Sequence, residues 1–182
     1  MQVGNPIHTL EMSMFDKNRV ARWCAPALLG LLALSLSTHL QAQVAPDDPE
    51  WKELDTPPPP AFSADKLLPL DMPSYVSVKF GIDPSTLSIG VDGIVRYVVV
   101  TRNTSGTVNA MFEGIRCGTG EVKTYARAND KGVWSTVAEP KWRVFTDNLP
   151  SKHAWVFARQ AACDGRATAA SSTADIIKAL KK

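Results

Sequence analysis

The chain has 182 residues, with 20 Lys plus Arg against 18 Asp plus Glu and a formal charge of +2. This length supports one domain with a real core once a leader is removed, and not two. No basic stripe interleaved with aromatic residues stands out, which excludes nucleic acid as an expected partner.

Residues 17–42 have the three-part grammar of a secretory signal peptide. Lys17, Arg19 and Arg22 come first, an apolar run over 25–36 follows, and Leu40-Gln41-Ala42 closes it. A membrane-spanning helix takes about 20 largely apolar residues. This run is shorter and ends among Ser37, Thr38, His39 and Gln41. Residues 1–42 are therefore expected to be removed by cleavage near Ala42/Gln43, leaving no transmembrane anchor. A start at Met12 or Met14 in place of Met1 would leave a leader of ordinary length. Cys24 precedes the apolar run, so it is not a lipidation cysteine. The expected location is the periplasm.

Residues 43–73 form a proline-rich extended arm, with Pro57 to Pro60 consecutive. Such a run favours polyproline II and cannot continue a helix or a central strand. Trp51 and Phe62 are too apolar for a free tail, so the arm is expected to lie against the domain. A proline-rich recognition ligand is the functional rival.

Residues 74–165 carry the domain. Val76, Val78 and Phe80 alternate with polar neighbours, which reads as a strand. Segments 86–91 and 94–101 flank Asp92-Gly93, a type I′ hairpin signal. Val98-Val99-Val100 is apolar on both faces, marking a central strand. Further strands are expected over 107–117, 121–128 and 133–137, with a second hairpin at 129–132. Residues 140–145 are ambiguous. Trp155, Ala158 and Ala162 fall at helical spacing within 151–162, and Gly165 is a plausible stop. In 166–182 a linker leads to a short helix whose apolar stripe is Ile176, Ile177 and Leu180. The predicted fold is a single α+β domain: a mostly antiparallel meander with one or two C-terminal helices.

Cys117 and Cys163 are the cysteines left after the leader. In an oxidising compartment they are expected to form a structural disulfide, stabilising by roughly 4 kcal/mol on the chain-entropy model. His153 is the single histidine left, so no metal site and no cofactor are expected. Ser151 and His153 suggest a nucleophile and its base, but no motif supports them. Ser151 is read as a helix cap and His153 as a surface residue. Glu113 and Glu121 could be the carboxylate pair of an envelope hydrolase acting on cell-wall glycans. Ion pairing with Arg116, Lys123 or Arg127 explains them equally well. No catalytic residue is assigned. The alternation Glu121, Lys123, Tyr125, Arg127 places donors beside an aromatic ring on one sheet face. Arg116, Lys123, Tyr125, Arg127 and Trp134 are thus the candidate binding surface for an envelope protein or ligand. The plainer reading is a solvated face with cross-strand pairs.

Asp92-Gly93-Ile94-Val95-Arg96-Tyr97, Phe112-Glu113-Gly114-Ile115-Arg116-Cys117, the Glu121-x-Lys123-x-Tyr125 pattern, Trp134 and Trp142 carry a resemblance. Over about residues 48–163 the chain resembles the cryptic neisserial protein-like family, small secreted proteins of beta-proteobacteria. The resemblance implies export and one compact domain, and it brings no activity. In such an envelope Asn103-Thr104-Ser105 is a turn and not a glycosylation site. Gly114 suggests a bulge or a close backbone approach. Arg116 is expected to pair with Glu113 or Glu121 and so brace the sheet near the disulfide.

Overall fold

The computed structural model describes residues 50–165 and 168–182, so the expected leader lies outside the described residues. Its architecture is the expected α+β one. An antiparallel sheet runs in the order β1-β2-β4-β5-β6-β7, with β3 added to β4 and β8 added to β6. The strands are β1 (Leu68–Pro69), β2 (Lys79–Ile82), β3 (Ser88–Ile89), β4 (Ile94–Arg102), β5 (Val108–Arg116), β6 (Glu121–Ala128), β7 (Trp134–Thr136) and β8 (Arg143–Val144). Consecutive hairpins β4-β5-β6-β7 form the meander.

β4 is central because its β-branched run is buried on both faces: residues 94–100 are all buried. Val95, Tyr97 and Val99 point to one face, where they join Ile115, Val122 and the C-terminal helices in the larger core cluster. Val98 and Val100 point to the other, where they meet Phe112, Tyr125 and Ala126. That second face has no helix. It is covered by Phe62, Ala64 and Leu67 from the segment preceding β1.

Several local readings differ. Residues 75–78 are not strand, because Val76 N bonds back to Pro73 O and turns the chain; pairing begins only at Lys79. Residues 86–91 shrink to the two-residue β3 after a 3-10 turn at Pro84–Thr86. The following hairpin turn closes between Gly90 and Gly93, with Gly93 at φ 75°. Asp92-Gly93 is thus not the central pair of a two-residue loop. The left-handed backbone needs Gly93, while Asp92 turns its carboxylate inward.

The expected helix splits. α1 (His153–Phe157) continues as a π-helical turn, Ala158–Ala162, which disturbs the 3.6-residue spacing. Phe157, Ala158 and Ala162 are buried, whereas Trp155 faces outward under the Arg159 guanidinium. Cys163 opens β9 (Cys163–Asp164) and forms the disulfide with Cys117, Cα to Cα 5.6 Å. The expected loose linker contains β10 (Thr168–Ala169), paired antiparallel with β9. α2 (Thr173–Leu180) is capped by Ser172 and buries Ile176 and Leu180. Among the described residues no helix is long and apolar enough to cross a membrane.

Candidate functional site

The predicted surface row starts on β6, and one irregularity decides what it becomes. β5 and β6 pair Glu113 with Thr124 and Phe112 with Ala126, leaving Tyr125 as an extra residue in a bulge. Gly114 makes the bulge possible: a Cβ there would stand 2.6 Å from the Tyr125 hydroxyl and 2.8 Å from Ile94 Cγ2. The extra residue reverses the alternation beyond it. Lys123 and Tyr125 share the helix-free face, but Arg127 now lies opposite Met111 on the other one and bonds its sulfur. Arg127 therefore leaves the expected row.

The rest of the row is not open to solvent. The arm crosses it, and each conspicuous arm side chain has a seat. Phe62 packs edge-on against Trp134, with ring centroids 5.5 Å apart, and Trp134 Nε1 donates to Pro60 O at 3.1 Å. At the other end Trp51 Nε1 donates to Asp92 O at 2.9 Å, and its ring meets Trp142 edge-on at 6.2 Å. The Arg116 guanidinium lies 3.8 Å from the centre of the Trp51 ring.

Between these ends sits Glu53, a residue with no signal in the sequence. Lys123 Nζ donates to its Oε2 at 2.7 Å, Trp142 Nε1 to the same oxygen at 3.0 Å, and the Tyr125 hydroxyl to Oε1 at 2.8 Å. Burial pushes the Glu53 pKa up, but the bonds from Lys123, Tyr125 and Trp142, with the Lys123 charge, hold it below the usual carboxylate range. Burial and the bond to Glu53 push the Tyr125 phenol well up. Both groups are thus fixed in their bonding forms at neutral pH.

The floor of the groove is charged as well. Arg96 is buried on this face and grips both oxygens of Asp92, at 3.2 and 2.8 Å. Asp92 also accepts from Leu54 N and Ile94 N. Burial opposes its ionisation, but Arg96 and these backbone donors keep it ionised. The hairpin that the Asp92-Gly93 pair announced is therefore also an anchor for the arm.

The expected carboxylate pair is taken apart. Arg116 faces Glu121 across the strands and pairs with it at 3.8 Å, on the arm side. Glu113, three residues from Arg116 along β5, points to the helix side. There it is buried and accepts from Tyr97 and Thr124 at 2.9 Å each, and its Oε2 lies 2.7 Å from His153 Nε2. Two carboxylates on opposite faces of one sheet cannot flank one glycosidic bond, so the hydrolase reading through Glu113 and Glu121 is overturned. Of the two partners expected for Arg116, the structure pairs it with Glu121.

His153 is not the solvated residue expected. It is 8% exposed and its ring stacks on Phe80 at 5.3 Å. Ser151 Oγ bonds His153 Nδ1, so Ser151 is not the cap of α1; Lys152 holds that position without a side-chain bond. Ser151, His153 and Glu113 line up as hydroxyl, imidazole and carboxylate. With both Glu113 oxygens taken by Tyr97 and Thr124 and the ring enclosed, the arrangement works as a brace fastening α1 to the sheet. Burial pushes the Glu113 pKa up, yet the His153 charge and the bonds from His153, Tyr97 and Thr124 leave it lowered overall. Among the described residues no three His, Cys, Asp or Glu side chains come together as metal ligands.

No curated protein and no solved structure matches this chain. Residues 46–181 match the CNP1-like family, a span that holds the arm, the groove, the disulfide and both helices. The chain belongs to the CNP1-like family.

Proposed function

We propose that this chain is a non-catalytic, exported binding module of the bacterial cell envelope. Its groove, formed by Arg116, Lys123, Tyr125, Trp134 and Trp142, takes an extended peptide segment. One observation carries the reading: three donors from separate places, Lys123, Tyr125 and Trp142, converge on one carboxylate of a segment without regular structure. Convergent donors between aromatic walls are what a peptide-recognition site needs. The segment it suits has an aromatic ring, a carboxylate two residues on, a polyproline stretch and a second aromatic ring, as the arm shows.

The leader grammar of residues 17–42 and the Cys117–Cys163 disulfide support export to the periplasm. Within the CNP1-like family, the chain's motifs are those of the cryptic neisserial protein-like members. A fluorescent peptide of residues 50–62 tests the groove. It should bind a Glu53→Ala chain, whose own occupant is weakened, and the Lys123→Ala change added to that chain should weaken binding at least tenfold. Equal binding with and without Lys123 would remove the groove from consideration. Cell fractionation tests the location, and recovery in the cytoplasm with residues 1–42 attached would contradict it.

A further inference from the structure

Unlike α1 and α2, the arm over residues 51–66 covers its face without helix or strand of its own. Among the described residues, no backbone-to-backbone hydrogen bond ties residues 51–66 to the sheet; paired backbone begins at Leu68. What holds the arm is side-chain chemistry at two lashings. The distal one is Trp51, Glu53 and Leu54 on Asp92, Lys123, Tyr125 and Trp142. The proximal one is Pro60, Phe62 and Ser63 on Trp134 and Asp83. Pro57 to Pro59 separate the two as a stiff spacer with no backbone N–H to bond within itself. A bend at residues 64–66, with Asp65 and Lys66 exposed, then leads into β1.

Such a segment can leave without breaking the sheet. The face beneath cannot stay open, because Val98, Phe112 and Ala126 are buried there and their exposure to water is unfavourable. An occupant must supply an aromatic ring, a carboxylate at the Glu53 position and a second ring, in that order and at that spacing. One segment is known to match on every point: the same arm from a second copy. Exchange would restore each contact, including the Glu53–Lys123 charge pair. The remaining cost is association, and this makes exchange of identical elements an inexpensive route to a dimer.

We propose that the groove accepts the arm of a second copy, so that two chains exchange residues 50–63 reciprocally about the bend at 64–66. This rests on the groove being a peptide site and names its partner. The dimer it predicts is isologous: each Glu53 lies on the other chain's Lys123.

The wild-type pair supplies its own probe. A carbodiimide joins a carboxylate to an amine in contact with it, and Glu53 Oε2 and Lys123 Nζ are 2.7 Å apart. Intact chains, one preparation labelled with ¹⁵N and one unlabelled, are mixed at high concentration, warmed and cooled, treated with carbodiimide and digested. Exchange predicts Glu53–Lys123 linked peptides carrying one labelled and one unlabelled half, as abundant as same-label pairs. Same-label pairs alone would overturn the exchange. If the free arm peptide still bound the Glu53→Ala chain, the groove reading would survive that result. If the peptide also failed to bind, both would fall. The linkage uses no substitution, so a misfolded variant cannot mimic either outcome.

Discussion

The two faces of the sheet are closed with the same chemistry at different depths. On one face Glu113 gathers Tyr97, Thr124 and His153 and fastens α1; on the other Glu53 gathers Lys123, Tyr125 and Trp142 and fastens the arm. Each uses one carboxylate to secure a covering segment. The helix side is sealed: Glu113 is buried, its cover has its own backbone bonds, and Cys163 is joined covalently to Cys117. The arm side is partly wet, and the Lys123 and Glu53 side chains keep 15% and 16% of their exposure. A buried charge without its partners is costly, so the helix-side network belongs to global folding. A charge that keeps some exposure returns to water at lower cost, so the arm-side network can open locally.

The largest effect should follow from Glu113→Ala. It leaves His153, Tyr97 and Thr124 without their acceptor inside the core, and removing one partner of a buried pair costs about 3–5 kcal/mol. Urea denaturation should show the midpoint falling accordingly. Glu53→Ala should cost less, about 1–3 kcal/mol by the same measurement, since the Lys123, Tyr125 and Trp142 donors it leaves behind lie on a partly exposed face that water can reach. Equal losses from the two substitutions would dissolve the distinction between a sealed face and a strapped one.

The meander, its central strand and the disulfide were legible because alternation, β-branched content and cysteine supply report on local and covalent chemistry. Val98-Val99-Val100, apolar on both faces, read as a central strand, and Cys117 with Cys163, the two cysteines after the expected leader, read as a structural disulfide ahead of a redox pair or a nucleophile. Two things were hidden. The bulge at Tyr125 moved Arg127 to the opposite face, and alternation read from sequence carries no sign of an inserted residue except the ambiguous Gly114. The second was Glu53, because a carboxylate in a proline-rich arm looks like any solvated acid until donors from β6 and from Trp142 meet it. Its partners lie about 70 to 90 positions further along the chain. Glu113 failed in the other direction. A carboxylate beside Arg116 in sequence looks like its ion-pair partner, yet strand geometry sends neighbours three apart to opposite faces.

A smaller effect should appear on acidification. The folded pKa of Glu53 lies below its ordinary value of 4.5. Its contribution is therefore present in full above that value and is lost as pH falls through the lower, folded one. The Glu113 pKa is lowered as well, so both networks weaken in acid, and the readout must separate them. Trp51 and Trp142 report on the arm, because they meet edge-on beside Glu53. Their fluorescence should change in acid while far-ultraviolet circular dichroism stays constant, and Glu53→Gln should remove that early change. A fluorescence change that always coincides with loss of the sheet would mean that the arm opens only with global unfolding.

The smallest expected effect is the most direct check on the bulge. Lys123 and Arg127 are both basic, both on β6 and four positions apart, so an unbroken strand would place them on one face with equal claims on an acidic segment. The structure separates them: Lys123 reaches Glu53, and Arg127 reaches Met111 on the opposite side. In a Glu53→Ala chain, Arg127→Ala should leave affinity for the 50–62 peptide unchanged, whereas Lys123→Ala should lower it at least tenfold, about 1.4 kcal/mol. Exposed as it is, Arg127 should also move stability by no more than about 0.5 kcal/mol. A loss of peptide affinity from Arg127→Ala comparable to that from Lys123→Ala would place both residues on the binding face, and with that the bulge and the groove as drawn would both be wrong.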